Sequence, residues 1–340
     1  MAGGGAQSDG AVTGPLLPVA TAGYSPHGIH SSRRIWAETN CYVDLWVEIL
    51  HVIGADPVPA AACAFSSRFD GRQWTFLKFR PEDLAALYGI DVAEMNIWRP
   101  AIDHLEHNLD AGMLSTVEVD GFWLPDTAGT SYRRQHVKTT IAPNRIDRAV
   151  EELEYFHNSG YHLLRGEDFR CLFGVGDEPV SSFAPYVEQV RFDRRPLLDE
   201  GRFGAVLRRH LRTRSPDNPV AGLAARVESD AAWLRVAGME AFHSWTFGTL
   251  RQCGASAELA ADVCEFMDSR GYPGAAAAAG GFRAVAEGAK SVQFRMSRVA
   301  HGRAVDPRAQ LAAMAEEWER SMDIVVKAAE ADQPIQVSAR

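Results

Sequence analysis

The chain has 340 residues, 46% of them apolar and 23% charged, which is the composition of a globular protein and excludes a disordered or collagen-like chain. Acidic residues (44) outnumber basic ones (35), and the net charge of −9 argues against a globally basic nucleic-acid binder. The five cysteines form no CxxC pair, and no apolar run reaches the length of a membrane span. We therefore expect a cytoplasmic protein with reduced thiols and, from its length, about two domains.

The N-terminal half alternates helix and strand patterns after a segment with few large apolar side chains. Residues 1–30 are rich in Gly, Ala, Ser and Pro and predict a disordered tail. The helical patterns lie at 41–53, 81–88 and 101–111, and the strand patterns lie at 72–79, 114–124, 136–142 and 153–164. A polar loop is predicted over 125–135, and the last strand pattern is interrupted at Asn158–Gly160.

Strand patterns fade after about residue 180, where helical periodicity takes over. The helical segments are 219–251, 255–269, 280–300 and 307–330. The sequence therefore predicts an α+β protein, in which a domain at 31–175 packs a helix on an antiparallel sheet and an all-α domain follows at 176–335.

Cys41 is the sharpest candidate for chemistry. It falls in the first turn of the helix predicted over 41–53, which Thr39 or Asn40 can cap. Backbone N–H groups and the helix dipole at this end favour the thiolate, the nucleophile of cysteine catalysis. The alternative is a small buried hydrophobe, because unbridged cysteines are among the most buried residues.

A base and a third group follow in the predicted strands. His136 begins a strand after the polar loop, and Asn158 ends the next strand, where its amide can orient the imidazole. A cysteine on a helix, a histidine on a strand and then Asn or Asp occur in this order in papain-like folds. A register shift of one residue would turn His157 instead of Asn158 toward the site.

Four segments of the first domain resemble a bacterial family catalogued as domain of unknown function 1839. They are NCYVDLWVEILHVIG, LYGIDVAEMNIWRP, VEVDGFWLPDTAGTSYRRQHVKTTI and YFHNSGYHLL. More distantly, the region resembles the N-terminal domain of the butirosin biosynthesis protein H family. That resemblance aligns the family's Cys, acid and His with Cys41, Asp120 and His136, and its last-strand Asp near Asn158. It implies a papain-like fold and transfer of an aminoacyl group from a carrier-protein thioester to an amine.

Further residues around these positions are candidates for substrate binding. The oxyanion Gln of papain-like enzymes has no counterpart at 33–38, so we expect the Asn40 side chain to be an oxyanion donor beside the Cys41 backbone. Asp120 either orients the loop or Lys138, or contacts an amine substrate. Lys138 either lies on a solvated strand face or favours neutral imidazole and binds a substrate carboxylate or phosphate.

Loop residues near a catalytic base are also substrate contacts in many enzymes. Tyr132 and Arg133 precede His136 in the polar loop, where they either contact substrate or are simply exposed. Asp44, Glu48 and His51 share one face of the predicted helix, which we interpret as a solvated stripe and not as a metal site.

An arginine-rich segment follows the predicted sheet domain. It either steers an acidic carrier protein, binds nucleic acid locally, or forms a solvated linker and helix face. The arginines of the carrier-protein hypothesis are Arg191, Arg194, Arg195, Arg208, Arg209 and Arg212.

Three functions are compatible with these residues. The first is a thiol acyltransferase in which Cys41 is the nucleophile, His136 the base and Asn158 the orienting group. The second is a cysteine hydrolase of the same fold, with water as acceptor, and the third is an inactive module that binds a carrier protein or peptide. We expect no metal and no tightly bound cofactor; in the first case a phosphopantetheine thioester on the partner carries the substrate, and the acceptor is a small molecule.

Overall fold

The computed structural model describes residues 14–176, 184–192 and 200–331. Contacts divide the chain into two compact units. The sheet unit comprises Met1–Ser25 and Val92–Arg191, and the helical unit comprises Pro26–Asp91 and Phe192–Arg340. Residues 26–91 therefore group with the C-terminal helices, whereas the sequence places most of them in the same domain as the sheet.

Helices and strands alternate in the first part of the chain, and helices follow in the second. The helices are α1 (Cys41–Val52), α2 (Pro81–Tyr88), α3 (Ala101–Asp110), α4 (Glu167–Phe173), α5 (Glu200–Thr213), α6 (Pro219–Thr246), α7 (Gln252–Ser269), α8 (Ala279–Ala300) and α9 (Arg308–Ala331). The strands are β1 (Asp91–Glu94), β2 (Leu114–Asp120), β3 (Lys138–Asp147), β4 (Glu152–His157), β5 (Gly160–Arg165) and β6 (Val187–Arg191). A π-helix (Phe247–Arg251) joins α6 to α7. The predicted α+β class, an antiparallel sheet followed by a helical region, is confirmed.

The sheet unit is built on six strands in the order β1-β6-β2-β3-β4-β5. Its pairs β6–β2, β2–β3, β3–β4 and β4–β5 are antiparallel. Helices α3 and α4 supply Leu105 and Phe169 to a core that also includes Val117, Ile141 and Leu153 of the strands. This core fixes the end of β2 and the start of β3, between which the candidate site lies.

The helical unit is organised around nearly continuous burial of α1 and α7. Every residue of α1 from Tyr42 to Leu50 is buried, and α7 is buried from Gln252 to Ala261. Trp318 of α9 packs edge-on against both Trp74 and Phe282, with ring centroids 5.6 and 5.3 Å apart. Among the described residues, none of the helices combines the length and apolar character that crossing a membrane requires.

Local signals explain the helix ends that the sequence predicts correctly. The Asn40 side chain accepts hydrogen bonds from the N–H groups of Tyr42 and Val43 and so caps α1. Helix α2 begins at Pro81 and ends at Gly89, whose φ of 64° suits glycine.

One predicted element of the fold is wrong, and three elements were not predicted. The strand expected at 72–79 is an isolated bridge between Phe69 and Trp74, because Trp74 N and Leu77 N bond to the helical residues Gly248 and Gln252 instead of a neighbouring strand. The short strands β1 and β6 and the helix α5 were not predicted. Strands this short carry little periodicity, and the arginines of α5 mask a buried stripe. That stripe consists of Phe203, Val206, Leu207 and Leu211.

Part of the expected N-terminal tail is packed. Leu17 and Ile29 are buried, and Leu17 N donates to Asn144 Oδ1 over 2.7 Å. Buried apolar side chains and hydrogen bonds to Asn144 and Glu48 therefore hold parts of residues 14–30, which composition alone does not reveal. Residues 1–13 of that prediction lie outside the described residues.

Candidate functional site

The loop 121–137 joins β2 to β3 and closes on itself. Gly121 N donates to Val137 O over 2.8 Å, so the two ends of the loop meet. Asp120 reinforces this closure, because its Oδ1 accepts from the backbone N–H groups of Phe122 (3.0 Å) and Val137 (3.3 Å). One carboxylate therefore ties both ends of the loop to the end of β2.

The same carboxylate orients His136. Oδ2 of Asp120 lies 2.5 Å from Nδ1 of His136, and the imidazole stacks on Phe122 with centroids 4.4 Å apart and planes 10° from parallel. An ionised carboxylate accepts only, so Nδ1 carries the proton and Nε2 keeps its lone pair. With 71% of its side chain exposed, His136 can accept a proton from a bound substrate.

A groove of about 940 Å³ lies beside this pair within the sheet unit. His136, Asp120 and Lys138 line it together with residues of β2, of α4 and of the segments before α3 and β6. Its apolar lining includes Trp98, Val119, Trp123, Phe173 and Tyr186. A concave, mostly apolar surface with a few polar groups is typical of a ligand site.

The structure ties other predicted substrate contacts to the protein itself. Lys138 Nζ lies 2.6 Å from Glu118 Oε1, at the wall of the groove. Tyr132 Oη donates to Asp168 over 2.8 Å, and Arg133 pairs with the same carboxylate over 2.5 Å and stacks on Trp123. Tyr132 and Arg133 thus anchor the loop to α4.

A buried chain of hydrogen bonds anchors the middle of the loop to the sheet. Asp126 lies 2.5 Å from both Tyr155 Oη and His157 Nδ1, and His157 Nε2 lies 2.7 Å from Thr139 Oγ1. Burial acts to raise the pKa of Asp126, but the hydrogen bond and charge of His157 outweigh it, and the pKa is lowered. His157, which the sequence offers as the alternative orienting residue, therefore hydrogen-bonds to Asp126.

Asn158 occupies the two-residue turn between β4 and β5. Its φ of 47° lies in the left-handed region, which Asn adopts more readily than most residues. Within the described part of the chain its side chain makes no hydrogen bond, and the carboxylate of Asp120 is the hydrogen-bond partner of His136 Nδ1. The signal for Asp120 was available: it and His136 flank one long connection between adjacent antiparallel strands.

Cys41 belongs to the helical unit, whereas His136 and Asn158 belong to the sheet unit. The thiol is half-buried in the first turn of α1. The Asn40 amide, expected as an oxyanion donor, directs its Nδ2 to Leu77 O (2.9 Å) and Gln252 Oε1 (3.4 Å). Its side chain therefore has bonds within the protein at both ends.

The expected solvated stripe on α1 is wrong for two of its three members. Asp44 and Glu48 are buried, and His30 bridges them, with Nε2 3.4 Å from Asp44 and Nδ1 in short contact with Glu48. Burial acts to lower the pKa of His30, but its bonds to the two carboxylates raise it to about 9. Only His51 is exposed.

A second row of hydroxyl, imidazole and carboxyl lies buried in the helical unit. His210 Nδ1 lies 2.8 Å from Ser66 Oγ, and His210 Nε2 lies 2.9 Å from Asp83 Oδ2. Burial first, and then the charges of Arg80 and Arg209, lower the pKa of His210 to about 3. All three side chains are buried, so the row is closed to a substrate in this structure.

A second half-buried thiol lies at the groove. All five cysteines lie in described residues and none is in a disulfide. Cys171 of α4 is half-buried and lines the groove with His136, which sequence reasoning did not anticipate. In residues 14–176, 184–192 and 200–331, no group of three or more His, Cys, Asp or Glu side chains has the arrangement of a metal site.

The arginines of the partner hypothesis have different surroundings. Arg191, Arg208 and Arg212 are exposed, whereas Arg209 is partly buried against Asp83. Arg194 and Arg195 lie outside the described residues.

These features define an α+β protein in which a carboxylate-oriented histidine lies beside an apolar groove. The chain belongs to the DUF1839 family, as its resemblance predicts. It matches the DUF1839 N-terminal domain over residues 25–192 and the DUF1839 C-terminal domain over residues 199–327. No curated protein matches the chain.

Proposed function

We propose that this protein is an acyltransferase that moves an aminoacyl or acyl group from a pantetheine or carrier-protein thioester to an amine or hydroxyl. The observation that carries the proposal is the contact between Asp120 and His136 beside the groove. A histidine whose Nδ1 is held by a carboxylate is arranged to take a proton at Nε2. The resemblance to the butirosin biosynthesis protein H family supports thioester chemistry and a papain-like ancestry.

The reaction needs one proton to move. The acceptor nitrogen or oxygen attacks the thioester carbonyl while its proton passes to Nε2 of His136. The carbon–sulfur bond then breaks, and the imidazolium returns the proton to the departing thiolate. Asp120 stabilises the imidazolium between these two steps, because its negative charge lies at the opposite ring nitrogen.

Cys41 is the proposed carrier of the acyl group in a two-step version of this reaction. Its sulfur takes the acyl group as the donor thiol leaves, and the acceptor then takes it from the acyl-cysteine. Its partial exposure in the first turn of α1 supports this role, because a donor can reach the sulfur. In the one-step version the acyl group passes directly from donor to acceptor.

Hydrolysis is the second candidate function. The 71% exposure of the His136 side chain favours it, since water can reach the base as readily as an amine can. Product analysis with and without an acceptor separates hydrolysis from transfer.

The carrier protein of this proposal is acidic. Arg208 and Arg212 support it, because they lie exposed one turn apart on α5. The partner carries the phosphopantetheine thioester, and the proposal requires neither a metal nor a tightly bound cofactor.

Intact-mass analysis after incubation with aminoacyl-pantetheine thioesters tests the proposal. The chain is compared with Cys41→Ala, Cys171→Ala and His136→Ala, and Cys63→Ala is a matched buried control. We expect an acyl adduct that Cys41→Ala abolishes and His136→Ala slows, with the other variants unchanged. Turnover without an adduct identifies direct transfer, and an adduct lost in Cys171→Ala moves the nucleophile to α4. Neither adduct nor product from any donor would leave the binding module as the better description.

A further inference from the structure

The floor and one wall of the groove are apolar next to the base. Val117 and Val119 of β2 and Phe173 of α4 line it, and Val119 packs on the buried core below. Trp98 and Tyr186 are 71% and 37% exposed on this surface. Aromatic rings left exposed in a concave surface, and not singly on a convex one, are typical of a site that buries an apolar ligand.

The exposed Trp98 is held in place by its surroundings. The backbone N–H groups of Trp98 and Arg99 both point at Nε2 of His104, each at 3.3 Å, and the His104 ring lies edge-on to the indole at 5.8 Å. The Arg99 guanidinium stacks over the same indole, 4.0 Å from its centroid. The ring is therefore positioned before any ligand arrives.

The charged side chains of the groove differ in their partners. Glu118 pairs with Lys138, and the Asp120 carboxylate bonds to His136 and to two backbone N–H groups. Among described residues, no carboxylate lies within ion-pair distance of the Arg99 guanidinium. An arginine that has no acidic partner in the described part of the chain, beside an exposed indole, complements an anion attached to an apolar group.

We infer that the groove binds an acyl donor with a bulky, flat apolar acyl group, which packs on Trp98, and with an anionic phosphate or carboxylate bound by Arg99. This inference rests on the proposed function for the identity of the donor. It adds the class of acyl group and the residue that binds the anion. Small acyl groups such as acetyl leave the indole exposed to water and bind less well.

Binding is measured with donors that cannot react, so that it is separate from transfer. The probes are thioether analogues of pantetheine that carry a phenylethyl or a methyl group, each with and without the 4′-phosphate, and a carboxyphenylethyl analogue without phosphate. Affinities are determined by calorimetry for the full chain and for Trp98→Ala and Arg99→Gln. The matched controls are Trp233→Ala, another exposed indole, and Arg270→Gln, another exposed arginine stacked on an aromatic ring.

We expect the phenylethyl analogues to bind at least about tenfold more tightly than the methyl ones, and Trp98→Ala to remove this difference. Arg99→Gln is expected to weaken one anionic class by about tenfold and to leave the neutral phenylethyl analogue unchanged. If Arg99→Gln loses affinity for the phosphorylated probe, the anion that Arg99 binds lies on the pantetheine arm. If it loses affinity for the carboxylated probe, the anion lies on the acyl group. Equal affinity for phenylethyl and methyl, no binding of any probe, or no effect of Arg99→Gln on either anion would overturn the inference. Tight binding of the phenylethyl thioether, together with no transfer from the corresponding phenylacetyl thioester, would keep the inference and remove the proposed reaction.

Discussion

The carboxylate of Asp120 lies 2.5 Å from Nδ1 of His136, so the residue that ends β2 holds the imidazole that precedes β3. The same carboxylate accepts from the backbone at both ends of the loop. The Asp120 side chain therefore both closes the loop and orients the imidazole. A change at Asp120 affects both the base and the shape of the groove wall beside it.

Replacing Asp120 with Asn is expected to reduce acyl transfer by about 100-fold, because the amide is neutral and cannot stabilise the imidazolium. His136→Ala is expected to cause at least as large a loss. Transfer rates at saturating donor measure both effects, with Asp110→Asn, an exposed acid at the end of α3, as the control. A wild-type rate in Asp120→Asn would exclude a catalytic role for this pair.

Two substitutions of Asn158 distinguish a role in the turn between β4 and β5 from a role in orienting His136. Asn158→Gly is expected to leave both folding stability and acyl transfer unchanged, because glycine accepts a φ of 47° without strain. Asn158→Ala is expected to cost about 1 kcal/mol of unfolding free energy, since Cβ disfavours this conformation. Urea denaturation and transfer rates are the measurements. If Asn158→Gly folds normally yet loses transfer, the amide has the orienting role that the sequence predicts.

Asp126 is expected to contribute to stability in a pH-dependent way. Its pKa is lowered in the folded state, so its contribution is present above the unfolded pKa of about 4 and is lost as pH falls below it. Asp126→Asn is therefore expected to cost about 2 kcal/mol at pH 7 and to flatten the acid side of the stability curve. Asp103→Asn, which breaks an exposed pair with Arg148, serves as the control and should change stability little. An unchanged acid branch in Asp126→Asn would contradict the assignment.

His30 produces the opposite pH dependence. Its pKa is raised to about 9, so its contribution is complete below the unfolded pKa of about 6.5 and is lost as pH rises through 9. Unfolding free energy should fall by about 3 kcal/mol between pH 7 and pH 10 because of this residue. Subtracting the pH dependence of the unfolding free energy of His30→Gln from that of the wild type isolates the effect. The control is His51→Gln, which changes an exposed histidine of α1. Parallel curves for wild type and His30→Gln would show that the bridge carries no charge.

Local signals were sufficient for much of the fold. Asn40 before α1 and Pro81 at the start of α2 predict the helix starts correctly, because each acts on its own backbone neighbours. Strands β1 and β6 could not be predicted this way. They are short, and their place in the sheet depends on partners far along the chain.

The site, too, depends on partners that local sequence signals do not identify. The burial of Asp44 and Glu48 depends on His30, which lies in a segment whose composition resembles a tail. His136 was predicted as the base from its position before a strand, but its orienting partner was expected at Asn158. Asp120 takes this place because antiparallel pairing of β2 with β3 brings the two ends of one loop together.

Because Gly121 is hydrogen-bonded to Val137, changes of length within the loop differ in their effect from changes in the strands. Insertions or deletions between these residues lengthen or shorten the loop without moving the register in which Asp120 faces Lys138. The loop also contains His136 and the groove-lining Trp123, so a change of length inside it alters the groove wall and the surroundings of the base while the strands on either side keep their alignment.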